Sequence, residues 1–96
     1  MAEKTIDLEQ FSSGNKLRIE VGGETGNGND EYTGKVIDHF DDAVIVQLDD
    51  EMTLERNRTV DTIEITYAHQ INSTLPLVKS GMTVYRTPVR KADLIA

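Results

Sequence analysis

The sequence contains no cysteine, and this absence excludes two kinds of cross-link from the folded chain. Without thiols there are no disulfides and no thiolate zinc sites, which are common supports of small domains. The two histidines, His39 and His69, are isolated in the sequence and do not predict a metal site by themselves. We therefore expect a fold that depends on its apolar core and holds no metal or other cofactor.

Aromatic residues are also scarce, because the 96 residues include no tryptophan and only 5% aromatic side chains. Hydrophobic residues make up 38% of the sequence, and most of them are Val, Ile and Leu. Such a composition favours strands over helices. A chain of this length is expected to form a single domain, 1–96, whose modest core would gain stability from oligomerisation.

Basic residues are outnumbered, with 10 Lys and Arg against 17 Asp and Glu, and the formal net charge is −7. This balance argues against a protein that binds duplex DNA through a positive surface. The first residues show no apolar leader, and no run approaches the roughly 18 apolar residues of a membrane span. The sequence therefore predicts a cytoplasmic protein with neither a membrane nor duplex DNA as a partner.

Alternation of apolar and polar residues predicts a mostly β fold with five short antiparallel strands. The predicted strands are Lys16–Val21, Tyr32–Phe40, Ala43–Leu48, Val60–Tyr67 and Gln70–Leu75. Gly34 interrupts the second strand, and a glycine at this position indicates the sharp bend that a small barrel needs.

A short helix is predicted before the first strand. Asp7 has a residue type that caps helices, and Gln10 follows it three places later. Gly14 then provides a helix stop, so the pattern indicates a helix over about 8–13.

The segment 77–96 is predicted to be a solvated tail beyond a core of about 7–76. It contains one further possible strand at Met82–Tyr85. Its Arg86, Arg90 and Lys91 form the one local basic cluster of the sequence.

The sequence shows no pattern of side chains that is typical of catalysis. Its serines lie in turns and lack the strand–turn–helix setting of an activated nucleophile. The acid pairs Asp41-Asp42 and Asp49-Asp50 are typical of solvated turns. The glycine-rich stretch 22–31 lacks the Lys-Ser/Thr of a phosphate loop, so it is predicted to be an exposed hairpin loop. We therefore predict that the protein is not an enzyme.

Two stretches of the sequence resemble the two motifs of the Sm-like family. Tyr67–Pro76 reads Tyr-Ala-His-Gln-Ile-Asn-Ser-Thr-Leu-Pro and is similar to the second Sm motif in its bacterial Hfq form, Tyr-Lys-His-x-Ile-Ser-Thr-x-x-Pro. Gly34–Val46 resembles the first Sm motif, with a glycine-bearing bent strand, a Phe-Asp turn and an apolar strand. Together with the short helix, the resemblance covers about Asp7 to Pro76.

The resemblance implies an Sm-like fold, in which a short N-terminal helix lies on a five-stranded, strongly bent antiparallel sheet that forms a small open barrel. It also implies a homo-oligomeric ring of about five to seven subunits. In such rings the fourth strand of one subunit pairs with the fifth strand of the next, so that no sheet edge stays free. The candidate ring-interface residues are Ile63, Ile65, Tyr67, Ile71, Ser73 and Leu75.

The same resemblance implies that single-stranded RNA binds near the pore of the ring. The candidate RNA-binding residues are Asp42, Tyr67, His69 and Gln70. The sequence departs from the Hfq pattern where Asp42-Ala43 replaces a glutamine and an aromatic residue, and where Ala68 replaces a lysine. These changes remove the base-stacking platform and the cation nearest to the bases.

Two alternatives to an RNA-binding ring stay open at the level of the sequence. The first is a structural or protein-interaction ring that binds no RNA. The second is a monomeric SH3-like or OB-like barrel that serves as an adaptor. The small size, acidic charge and divergent motifs are also in keeping with a phage-encoded protein.

Overall fold

The computed structural model describes residues 6–22, 29–40, 42–54, 58–67 and 74–95. Within these ranges the chain forms six β-strands, preceded by one turn of 3₁₀ helix at Leu8–Gln10. The strands are β1 (Lys16–Gly22), β2 (Asn29–Phe40), β3 (Ala43–Leu54), β4 (Arg58–Thr66), β5 (Leu77–Ser80) and β6 (Thr83–Leu94). Each strand pairs antiparallel with the next, and β6 pairs with β1, so the sheet closes into a barrel. The prediction of a mostly β, antiparallel fold is confirmed.

Aliphatic side chains fill the inside of the barrel. In β1, Leu17, Ile19 and Val21 are buried and alternate with more exposed residues, as expected for a strand with one face in the core. In β3, Val44 and Val46 are fully buried in the same way. The period-2 pattern in the sequence therefore reports which face of each strand lies inside.

The predicted five-stranded open barrel is wrong in strand number and in closure, because the segment after residue 76 forms β5 and β6. The prediction of a solvated tail over 77–96 is wrong for the same reason. Tyr85 and Val89 of β6 are 5% and 0% exposed. Pro88 and the basic residues between and after them mask the apolar alternation in the sequence, which is why this segment resembles a tail.

The predicted helix over 8–13 is reduced to the single 3₁₀ turn. The carboxylate of Asp7 accepts a hydrogen bond from the backbone amide of Glu9 at 3.0 Å, as the capping pattern predicts. The backbone becomes extended at Phe11, whose side chain is 1% exposed and enters the core. Burial of this aromatic ring ends the helix before Ser13. No helix among the described residues is long and apolar enough to cross a membrane.

The N-terminal segment covers one end of the barrel. Ile6, Leu8 and Phe11 all belong to the main hydrophobic cluster. Nε2 of His39 donates a hydrogen bond to the carbonyl oxygen of Leu8 at 3.1 Å. The hydroxyl of Tyr67 accepts from the amide of Ile6 and also lies 3.0 Å from its carbonyl oxygen. These contacts connect the 3₁₀ turn to β2 and to the end of β4.

Tyr32 on β2 gives the barrel a dependence on alkaline pH. Burial is the main cause that raises the pKa of Tyr32, and the carboxylate of Asp30 raises it further, while a hydrogen bond with the backbone of Thr53 lowers it. The folded-state pKa of Tyr32 exceeds its unfolded value of about 10, so folding favours the protonated hydroxyl. The contribution of Tyr32 to the free energy of unfolding is therefore complete below about pH 10 and is lost as the pH rises through the folded-state pKa.

Tyr32→Phe should remove that part of the pH dependence. We expect the free energy of unfolding of the wild type to fall more steeply above about pH 10 than that of the variant. Urea titrations at a series of alkaline pH values measure this difference. Identical pH profiles for the two proteins would show that Tyr32 is not the group responsible.

Candidate interaction edge on the last strand

Of the four predicted RNA-binding residues, the structure describes two, Asp42 and Tyr67, and their backbones are in contact. Asp42 is exposed in the turn before β3, and its carbonyl oxygen accepts a hydrogen bond from the amide of Tyr67 at 3.0 Å. The ring of Tyr67 is only 5% exposed, so it is not available to stack on a base. His69 and Gln70 lie outside the described residues. RNA binding therefore stays a prediction, and Tyr67 acts in the core instead.

The predicted ring-interface residues on β4 also lie in the core. Ile63 and Ile65 are 1% and 0% exposed. The backbone of Ile65 is paired with Val44 of β3 on one side and with Val78 of β5 on the other. The backbone of β4 at Ile65 is therefore already paired within the same chain on both sides.

The remaining ring-interface candidates follow β4 in the sequence. Leu75 is partly buried just before β5. Ile71 and Ser73 lie outside the described residues. The predicted fifth strand, 70–75, falls mostly in the same range, so the structure does not test it.

β6 is the strand that changes partners along its length. Its first half pairs with β5, from Thr83 to Pro88. Its second half, from Val89 to Leu94, pairs with β1. The amide of Val89 still donates to the carbonyl oxygen of Pro76, at 2.9 Å, on the β5 side. Among the described residues, the strand pairings beyond Val89 give β6 a neighbour on one side only.

Backbone groups of this half-strand point alternately to β1 and away from it, so one hydrogen bond fixes the direction of all of them. The amide of Ile95 donates to the carbonyl oxygen of Lys16 at 2.9 Å. The register between β6 and β1 has no shift from Leu94 back to Lys91. The amide and carbonyl of Ala92 therefore face the open side of β6, and so do those of Leu94.

A groove of about 330 Å³ lies beside this half of β6. One wall consists of residues 90–94, and the other includes Ile6 and Gln10 from the N-terminal segment. We call residues 90–94 of β6, with the outward-facing backbone groups of Ala92 and Leu94, the β6 edge. The groove is space beside the β6 edge that the described residues do not fill.

The outer face of the β6 edge carries charges of alternating sign. Lys91 lies opposite Glu20 of β1, and Asp93 lies opposite Arg18. Both Lys91 and Asp93 are exposed. Opposite charges in directly facing positions stabilise a strand pair modestly, which supports the closure of the barrel between β1 and β6. Ala92 thus lies between one positive and one negative side chain.

The basic cluster predicted in the tail is divided by the fold. The side chain of Arg90 lies over Gly22 and occupies the space that a Cβ at Gly22 would need. Lys91 lies on the outer face of the β6 edge. The order Lys91-Ala92-Asp93 is visible in the sequence. The pairing with β1 decides which of these residues has its backbone groups facing outward, and no local sequence pattern predicts that pairing.

No group of three or more His, Asp or Glu side chains in the described part of the chain is arranged to hold a metal ion. The site thus consists of a backbone edge that no described strand pairs with, a groove and paired charges. The resemblance to the Sm-like family stays a prediction, because no protein-family model, curated protein or solved structure matches the chain.

Proposed function

We propose that the protein is a self-associating β-barrel that acts as a structural or protein-interaction module and has no catalytic activity. Two copies join through their β6 edges. The observation that carries the proposal is the β6 edge, which among the described residues has a strand neighbour on one side only and a groove beside it. Main-chain pairing at such an edge is a known mode of recognition between proteins.

Open edges favour association because their amides and carbonyls already have the geometry of a sheet. A second strand adds hydrogen bonds that each contribute about 1 kcal/mol net. Many proteins hinder this pairing with charged side chains or a proline on the edge. Pro88 lies in the other half of β6, and the two charges beside Ala92 have opposite signs, so in an antiparallel pair of identical edges they attract each other.

Exposed apolar side chains at the end of β6 give a second reason for association. Leu94 and Ile95 are 49% and 41% exposed. Burial of apolar surface against another chain stabilises a protein of this size, whose own core is small. Leu94 is the last residue of the β6 edge, and Ile95 follows it directly.

The proposed assembly differs from the ring that the Sm-like resemblance implies. In that ring the fourth strand provides the edge, but β5 already pairs with Glu64–Thr66 of β4. Antiparallel pairing of identical β6 edges is related by a two-fold axis and closes with two copies. The proposal keeps a second copy of the chain as the partner and reduces the number of subunits from a ring to a pair.

Ala92→Pro should weaken self-association by about tenfold or more, because proline removes the amide that faces the open side. The barrel should keep its fold, since proline is tolerated where the missing amide does not serve a ladder within the chain. Sedimentation equilibrium over a concentration series measures the association constant, and circular dichroism reports the fold.

Asp93→Pro is the matched control, because the amide of Asp93 faces β1 and belongs to the pairing that closes the barrel. This variant should lower the thermal midpoint markedly, whereas Ala92→Pro should not. A wild-type protein that stays monomeric at high concentration would refute the proposal. So would a folded Ala92→Pro variant that associates as strongly as the wild type.

A further inference from the structure

We infer that the two copies pair in one register, antiparallel and centred on Ala92, with Lys91 of each copy facing Asp93 of the other. The inference rests on the self-association proposed above and adds the geometry of the interface. In this register the two Ala92 residues form a hydrogen-bonded pair on the two-fold axis. Their amides and carbonyls both face the open side, as such a pair requires.

The charges of the β6 edge distinguish this register from its neighbours. A pairing centred on Lys91 places two lysines directly opposite each other. A pairing centred on Asp93 places two aspartates opposite each other. Like charges in facing positions destabilise a strand pair, whereas opposite charges stabilise it. The register centred on Ala92 therefore avoids both repulsions and forms two equivalent Lys–Asp pairs.

The pairing extends a row of charges that already exists within each barrel. Lys91 faces Glu20, and Asp93 faces Arg18, across the β1–β6 ladder. In the proposed pair the row runs Glu20, Lys91, then Asp93 and Arg18 of the second copy, so the signs alternate across four strands. Arg18 also lies 3.7 Å from Glu31 of β2, measured from Nε to Oε1. Glu20 faces Glu31 directly across the β1–β2 ladder, so the alternation of signs covers β1 and β6 of the two copies and does not extend to β2.

Other half-strands in the described part of the chain also have a strand partner on one side only, and the start of β4 is one of them. The β4–β5 pairing covers Glu64–Thr66 and leaves the start of β4 without a β5 partner. A pairing centred on Val60 would place Thr59 opposite Asp61, which provides no ion pair. The start of β4 therefore lacks the self-complementary charges of the β6 edge.

Charge reversal tests the register. Lys91→Glu alone places a glutamate opposite Asp93 of the partner copy twice in each pair, and Asp93→Lys alone places two lysines opposite each other twice. We expect each variant to associate about tenfold or more weakly than the wild type. In an equimolar mixture of the two variants all facing charges are opposite again, so association should return to within about threefold of the wild type as a heterodimer.

Native mass spectrometry identifies the heterodimer by its mass, and sedimentation equilibrium measures its affinity. Lys35→Glu and Asp50→Lys are matched controls, because they make the same changes of charge at exposed positions on other strands. Both controls should associate like the wild type. Thermal melts of each variant monitor any loss of the contacts with Glu20 and Arg18, and mixing does not repair such a loss.

The proposed register predicts that each single variant associates weakly, that the mixture of the two associates nearly as strongly as the wild type, and that the two control variants are unchanged. The register is wrong if the wild type associates but the single variants associate equally well, or if mixing restores nothing; self-association by another geometry then remains. A wild type that does not associate overturns the proposed function together with the register.

Discussion

Gly34→Ala is expected to lower the free energy of unfolding by about 3 kcal/mol, at the upper end of the usual cost of overpacking a core. A Cβ at position 34 would lie 2.6 Å from the carbonyl oxygen of Gln47 and 2.7 Å from Cγ1 of Val46. It would also lie 3.0 Å from Cα of Leu48. Two of these atoms belong to the backbone of β3, so relief of the contact requires β2 and β3 to separate.

Gly22→Ala is the matched control, because Gly22 is also a buried glycine within a strand. The three atoms nearest to its Cβ would all belong to the side chain of Arg90. The end of an arginine side chain moves easily, so we expect a loss below about 1 kcal/mol. Chemical denaturation measures both values. Equal losses at the two positions would contradict the close crossing of β2 and β3 at Gly34.

Tyr67→Phe is expected to lower the free energy of unfolding by about 2 to 3 kcal/mol, because it leaves buried polar groups without their partner. The hydroxyl of Tyr67 accepts from the amide of Ile6 at 3.2 Å. It also lies 3.0 Å from the carbonyl oxygen of Ile6 and 3.1 Å from that of Thr74, and its single proton serves these two acceptors. One oxygen atom therefore joins the N-terminal segment, the end of β4 and the approach to β5.

Tyr85→Phe is the control for this substitution, since the ring of Tyr85 is also 5% exposed. Its hydroxyl accepts a hydrogen bond from Nη1 of Arg58 at 3.1 Å. Arg58 is exposed, so water replaces the lost bond, and the loss of stability should be much smaller than at Tyr67. Denaturation curves of the two variants give the comparison. A similar effect at both tyrosines would mean that the hydroxyl of Tyr67 does not hold the N-terminal segment in place.

The role of Tyr67 shows how far a sequence motif determines function. The Sm-like resemblance assigns Tyr67 both to an RNA site and to a ring interface. The alternation of Ile63, Ile65 and Tyr67 predicts equally well that all three lie on one face, and the structure puts that face in the core. The motif identifies residues that matter for the fold, but a motif alone does not say whether a side chain points inward.

Strand prediction succeeds where the pattern is local. The sequence predicts the first strand at Lys16–Val21, and the strand is observed at Lys16–Gly22; the third begins at Ala43 as predicted. β3 nevertheless continues beyond Leu48 to Leu54. Its three acids, 49–51, lie in a stretch where the register with β4 shifts, and burial resumes at Met52. Because the pairing with β4 is interrupted at these acids and resumes after them, this part of β3 resembles a loop in the sequence.

The closure of the barrel and the β6 edge are not predictable in the same way. Among the side chains of β6 that the structure describes, Val89 is fully buried and Tyr85 nearly so, and a proline lies between them. Its pairing with β1 joins the two ends of the chain, and such long-range contacts leave no period in the sequence. The role proposed for Lys91 and Asp93 at the β6 edge can be inferred only after that pairing is known.

The exchange rate of the Ala92 amide proton tests the self-association through the β6 edge most directly. Measured by NMR at several protein concentrations, this amide should exchange slowly in the associated protein and faster on dilution. The amide of Asp93, which faces β1, should stay protected at every concentration. Fast exchange of Ala92 that does not change with concentration, in a protein that still associates, would contradict pairing through this edge.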